Sequence, residues 1–218
     1  MKLLLAILFS LNIFAADLES CSPSFAKLGD GSGNDQISNE CKQLIMNNDD
    51  TKIKVVHKDA LNDLEYNALG SALVSIDRVK GFQAITSGNM TKLQDVKAME
   101  YVHEYKELYV LDGKTHKVYV FLSELPGNVA PTRIIEKDEL IGASDIAILA
   151  DSIYILNGQT NKVIVMNRQA SSKAPESRQF LNIIQVVDVA PGCDRLELKD
   201  TSLEVYKADE KIMTLELE

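Results

Sequence analysis

A chain of 218 residues with 45% hydrophobic and 25% charged content is long enough for one sizeable core and too apolar for wholesale disorder. Its formal net charge of −9 is at odds with phosphate-backbone binding, which needs clustered Lys and Arg, and implies repulsion from anionic membrane surfaces. Aromatic residues make up 6% and Trp is absent, which argues against stacking platforms for single-stranded nucleic acid or carbohydrate.

Residues 1–15 read as an export signal: Lys2 is the positive start, Leu3–Phe14 the apolar run, and Ala15 and Ala16 the small residues at a cleavage point. The run falls short of the roughly 20 apolar residues that span a bilayer, and Asp17 and Glu19 end it. Cleavage after Ala15, or one residue later, leaves a periplasmic or secreted chain with no membrane insertion. Loss of Lys2 moves the net charge from −9 to −10. A buried N-terminal helix is the competing reading.

Residues 16–51 form an N-terminal extension, turn-rich at Ser22-Pro23-Ser24 and through Gly29–Asp35. A short helix follows, capped by Ser38 and carrying Cys41, Leu44 and Ile45 on one face. Cys21 and Cys41 bracket the polar loop and are the expected disulfide in an oxidising compartment, leaving Cys193 a free, buried thiol. Closing such a loop stabilises by roughly 3 kcal/mol on the chain-entropy model. Other pairings stay open, as does lipid attachment at Cys21, against which Asp17 and Glu19 argue. Asp30, Ser32 and Asn34 have the alternate spacing that starts a calcium loop. Asp35 then stands where Gly is required and Cys41 where Glu is, so a linker fits better.

Beyond Thr51 the chain becomes short apolar runs separated by turns, and it repeats. Leu108–Phe121 aligns with Ile153–Met166 at an offset of 45, with Tyr109, Leu111, Gly113, Thr115, Lys117, Val118 and Val120 recurring as Tyr154, Leu156, Gly158, Thr160, Lys162, Val163 and Val165. Each copy is a hairpin whose turn carries Asp-Gly or Asn-Gly, explained by the tolerance of Gly for positive φ. Flanking strands complete a four-stranded unit of about 45 residues, the size of a propeller blade. Weaker copies precede and follow: Ile53–Val56, Leu64–Ala68, Ala72–Ile76 and Phe82–Ile85 upstream, then Ile184–Val189, Leu196–Leu198, Leu203–Tyr206 and Ile212–Leu217 downstream. The expectation is an all-β fold, a small β-propeller of about four four-stranded blades over 52–86, 95–136, 145–181 and 184–218, extended by the disulfide-pinned N-terminal segment; closure into a ring within one chain is favoured, and an open arc completed by a second chain is the competing reading.

Gly127-Asn128-Val129-Ala130-Pro131-Thr132-Arg133-Ile134-Ile135, together with Lys117–Phe121 and Lys162–Met166, resembles the NHL-type propeller repeat of a bacterial exported variety, over about residues 80–190. The family's Pro-x-Gly before the first strand and the Asp closing it are absent, and its rings usually have more blades. The resemblance implies a platform that holds protein or other ligands across one face; the residues themselves suggest no cofactor.

The residues offer little chemistry beyond this. His57, His103 and His116 have no second His or Cys at metal-ligand spacing, and His103-Glu104 and His116 read as polar turns. Asn89-Met90-Thr91 fits a glycosylation sequon, a triplet common by chance. Asp95, Asp145 and Asp188 recur at the entries of expected inner strands; around a channel they would suit a metal-assisted hydrolase or lyase, although Asp at a strand entry more often serves its own turn. The leading expectation is an exported, non-enzymatic binding or scaffold protein, monomeric or homodimeric, with a protein or envelope component as partner. Its contact surface is Lys114, His116, Gln159 and Asn161, on the face shared by the turns between second and third strands and the links between blades.

Overall fold

The computed structural model describes residues 54–59, 64–69, 72–77, 81–86, 90–122, 129–168 and 183–216. The export signal, the extension with its helix, the Cys21–Cys41 pairing, the Asp30 loop and Asn89 lie outside them. No helix among the described residues is long and apolar enough to cross a membrane.

The described residues are strands joined by short turns. The first sheet is β1 (Lys54–Asp59), β2 (Leu64–Leu69), β3 (Ala72–Asp77) and β4 (Gly81–Thr86). The second is β5 (Val96–Val102), β6 (Glu107–Asp112), β7 (Lys117–Leu122) and β8 (Arg133–Glu136). After a 3₁₀ turn at Asp138–Leu140 come β9 (Ala143–Leu149), β10 (Ser152–Asn157), β11 (Lys162–Asn167) and β12 (Ile183–Asp188). The last sheet is β13 (Arg195–Lys199), β14 (Ser202–Lys207) and β15 (Glu210–Glu216). Each sheet is an antiparallel meander in sequence order, three of four strands and the last of three.

The innermost strands pack in series, β1 on β5, β5 on β9 and β9 on β13. A hydrophobic cluster fills each junction. Ala68, Leu73, Met99, Val110 and Phe121 join blades one and two; Leu111, Val118, Ile135, Ile146 and Ile155 join two and three; Leu156, Val163, Leu196, Leu203 and Val205 join three and four. Middle strands of blades two and three are therefore buried on both faces. β10 runs Ile153-Tyr154-Ile155-Leu156-Asn157 without an exposed residue, whereas in β14 only Leu203 and Val205 are buried.

Three sequence expectations change. Ile184–Val189, read as the inner strand of blade four, is the outer strand of blade three: β12 pairs with β11, Val187 opposite Val163 and Val186 opposite Ile164. The expected outer strand at 177–181 falls outside the described residues, and the described part of blade four starts at β13 and has three strands. Residues 123–132 separate β7 from β8, whereas the longer stretch 168–182 separates β11 from β12, so the outer strand of blade three comes later than the repeat offset places it. Secondly, among the described residues no packing of β13 on β1 matches that of β9 on β13, so the expected ring closure is not shown. Instead the far face of blade four carries Arg195, Glu197, Lys199, Glu204, Tyr206 and Lys211, which pair with one another: Arg195 and Lys199 with Glu197, Lys211 with Glu204 at 2.9 Å. A polar outer face is what a terminal repeat needs. Thirdly, positive φ in the two hairpin turns falls on His116 and Asn161, both at 56°, and not on Gly113 or Gly158. At Gly113 an added Cβ would lie 2.5 Å from Lys97 Cε on the neighbouring strand, so that side chain would have to move aside. Cys193 is a free, buried thiol, and burial raises its pKa.

Candidate functional site

The β6–β7 and β10–β11 turns share one end of the molecule with the links between blades. Asp112 and Asn157 organise this end from equivalent positions, 0% and 1% exposed. In both, Oδ1 accepts turn N–H groups: those of Lys114 and Thr115 for Asp112, of Gln159 and Thr160 for Asn157. The other side-chain atom reaches the segment leading into the inner strand. There Asp112 Oδ2 accepts from the amides of Gln94 and Asp95 at 2.5 and 2.8 Å. Asn157 Nδ2 instead donates to the carbonyls of Glu139 and Ile141 at 2.8 and 2.7 Å. The acid stands where the link offers donors and the amide where it offers acceptors. Burial alone would raise the Asp112 pKa, but the hydrogen bonds from Asp95, Gln94 and Thr115 outweigh it and hold the carboxyl below its usual range.

Beside the second latch a groove of about 320 Å³ opens between blades two and three, lined by Asp138, Glu139, Ile141, Asn157, Gln159, Thr160, Lys162, Ile164 and Val186. Ile164 forms the buried floor, while Ile141 and Val186 are 48% and 46% exposed. Gly142, with φ at 86°, lets the chain turn under Gln159; any Cβ there would lie 2.5 Å from Gln159 Cβ.

Of the sequence-predicted contact residues, Lys114 and Gln159 are exposed and His116 and Asn161 half-buried, all on this end. Only Gln159 lines the groove. Asn161 is tied into the blade, its carbonyl accepting from Val189 N at 2.9 Å, and the backbone N–H of His116 donates to Asp112 O at 3.0 Å. Sequence reasoning missed Asp138, Glu139, Ile141, Ile164 and Val186. A signal for one of them was present: Ile164 replaces Tyr119 between otherwise near-identical hairpins.

The three aspartates do not ring a channel. Asp188 ends β12, the outermost strand of its sheet, because that strand is not an inner one. Asp95 pairs with Lys97 at 2.8 Å. Asp145 Oδ2 accepts from Leu196 N at 2.6 Å, linking the inner strands of blades three and four. Among the described residues no three His, Cys, Asp or Glu side chains gather where a metal ion would fit.

At the opposite end, Arg168 clamps blade three to blade two. Its Nη1 pairs with Glu107 at 3.2 Å, Nη2 with Asp151 at 3.2 Å, Nε donates to Ala150 O, and the guanidinium lies 3.5 Å from the Tyr105 ring centroid. Glu107 also binds Arg133 at 2.8 Å and accepts from the Tyr109 hydroxyl at 2.6 Å. Every partner here is supplied by the fold, so the cluster is a joint and not an open site.

No protein-family model matches the sequence, and no curated protein sequence matches it. Among solved structures the chain is similar to one in a nidogen/laminin complex, at TM-score 0.50 and 13% identity over 63% of this chain and 47% of that one. It is similar also to a chain of a humanized mutant of the Chaetomium thermophilum Polycomb Repressive Complex 2, at TM-score 0.51 and 10% identity over 70% and 43%. A third likeness is to the Neurospora crassa Pan2 WD40 domain, at TM-score 0.49 and 9% identity over 76% and 50%. At such identities the likeness concerns the fold alone, which is that of a β-propeller. The chain spans about half the length of these matched chains.

Proposed function

We propose that this chain is an exported, non-enzymatic binding scaffold that holds a protein or envelope partner on the end bearing Lys114, His116, Gln159 and Asn161. The groove carries this reading: it opens on that end beside Gln159, with an apolar floor and a polar rim, the usual make-up of a recognition site. The NHL-type resemblance, the export signal and the disulfide-pinned extension fit the same reading, as does a propeller fold hospitable to protein partners.

Capture from an envelope extract by the chain and by its variant with Lys114, His116, Gln159 and Asn161 all changed to Ala tests the assignment. Loss of the captured partner is expected; undiminished capture refutes it. Mass spectrometry of exported material tests the compartment, and an intact Met1 would overturn it.

A further inference from the structure

The two near-identical hairpins differ at the groove, and each difference makes it more open to a ligand. Tyr119 of blade two and Ile164 of blade three are equivalent, opposite Ile134 and Val186 respectively. The Tyr119 ring is buried at the junction of blades one and two. At the next junction the shorter Ile164 stands at that position and lines the groove. Lys117 pairs with Glu136 at 3.0 Å, but its counterpart Lys162, across from Asp188, makes no ion pair among the described residues. The Thr115 hydroxyl donates to Asp112 at 3.0 Å; that of Thr160 has no partner among the described residues. Asp138 and Glu139 likewise face the groove as exposed carboxylates with no ion pair among them. This contrasts with the far face of blade four, where the charges pair internally. Ile184, 59% exposed and two residues from Val186, extends the apolar row along β12. β12 is also the outermost strand of its sheet among the described residues, the position at which an extended peptide could add.

We infer that this groove takes an extended peptide segment of a partner protein, with a large apolar side chain seated on Ile141, Ile164 and Val186 and an adjacent Lys or Arg held by Asp138 and Glu139. The inference rests on the binding-scaffold reading and names its partner's chemistry. The volume suits one large side chain with its flanking backbone, not a folded domain surface. The carboxylates favour a basic neighbour, a preference the chain's net charge of −9 reinforces at long range. Lys162 and Thr160 remain to meet the peptide's carbonyl oxygens.

Fluorescence polarisation with three labelled peptides tests it: Gly-Ser-Arg-Leu-Ser-Gly, the same with Glu for Arg, and the same with Ser for Leu. The first binds saturably and more weakly as salt rises. Each substituted peptide binds at least about tenfold more weakly, the scale of one charged hydrogen bond or one buried leucine. Ile164→Tyr, which restores the residue of the sister repeat, abolishes binding with the fold retained by circular dichroism. Asp138→Lys with Glu139→Lys, both on exposed positions, reverses the preference toward the Glu peptide. Equal binding of the three peptides, or wild-type binding by both variants, overturns the inference. A Lys114→Ala, His116→Ala variant separates the two readings. If it keeps the envelope partner while Ile164→Tyr loses both partner and peptide, the groove stands and the wider face falls; if it loses the partner and the Arg-Leu peptide never binds, the groove falls.

Discussion

Blades three and four have middle strands of the same design and opposite surroundings. β10 reads Ser152-Ile153-Tyr154-Ile155-Leu156-Asn157 and β14 reads Ser202-Leu203-Glu204-Val205-Tyr206-Lys207. The odd-numbered pairs correspond: Ile153 and Ile155 pack on blade two, Leu203 and Val205 on blade three. The even-numbered ones diverge. Tyr154 and Leu156 are buried against blade four, while Glu204 and Tyr206 stand on a half-exposed face with Lys211 and Arg195. One face of a blade is thus enough to order it, and the other is apolar only where a further blade arrives. The chemistry of a face therefore follows whether another described blade packs on it, and the blade-four face is charged where none does.

The largest effect is expected where both faces are buried. Leu156→Ala removes a side chain with no exposure and should cost about 2–5 kcal/mol in urea unfolding. Tyr206→Ala at the matching site of blade four should cost far less; an equal loss would mean that a neighbour covers that face. Arg168→Ala comes next. It leaves Asp151 without its guanidinium and Glu107 with Arg133 alone, for an expected loss of about 2–4 kcal/mol, below a fully buried pair because Arg133 remains. Lys211→Ala, which breaks an exposed pair on the blade-four face, should leave the urea midpoint unchanged.

The contrast shows how far the sequence could be read. The hairpins were legible because alternation and an Asx-Gly turn are local, and one offset copied both. Blade four was misframed because Ile183–Asp188 alternates as an inner strand does. Which sheet it joins is decided by its pairing with β11, a tertiary matter that no local pattern encodes. The same slip put Asp188 in a channel it does not reach. The groove was hidden for another reason: Asp138, Glu139 and Ile141 lie in a link with no repeated partner, and meet Ile164 and Val186 only once two blades stack. The Tyr119-to-Ile164 change was visible in the repeat alignment. In a strand facing a neighbouring blade it changes the volume of the junction.

A smaller effect tests the paired latches. Asp112→Asn turns an amide toward the donating backbone of Gln94 and Asp95. Asn157→Asp turns a carboxylate toward the carbonyls of Glu139 and Ile141. Each should cost about 1–3 kcal/mol although each imports the residue of the sister repeat. If either swap is neutral, the latch does not sense the polarity of its link. Asp112 also fixes a pH dependence. Its folded pKa lies below the ordinary value of 3.8, so its stabilisation is present above the unfolded pKa and is lost as pH falls through the folded one. Acid unfolding followed by circular dichroism should therefore show Asp112→Asn less steeply pH-dependent below about pH 4 than the parent.

The smallest effect sets the inside of the arc against its blade-four face with one motif. Glu107-Leu108-Tyr109 and Glu204-Val205-Tyr206 each place a tyrosine hydroxyl 2.6 Å from the glutamate two residues before it. Both phenols are raised, for causes of different weight. At Tyr109 burial leads and the Glu107 hydrogen bond follows; at Tyr206 the Glu204 hydrogen bond leads and the pKa rises to about 12. Glu204→Gln should therefore bring Tyr206 down toward 10.0, its ordinary value, read as phenolate absorbance in an alkaline titration. Glu107→Gln should leave Tyr109 raised, because its surroundings exclude water whether or not the carboxylate is present. At Tyr206 the neutral phenol is the favoured form in the fold, so its contribution is full below the unfolded pKa and fades as pH climbs through about 12. Equal responses of the two tyrosines would mean that the blade-four face is as dry as a junction between blades.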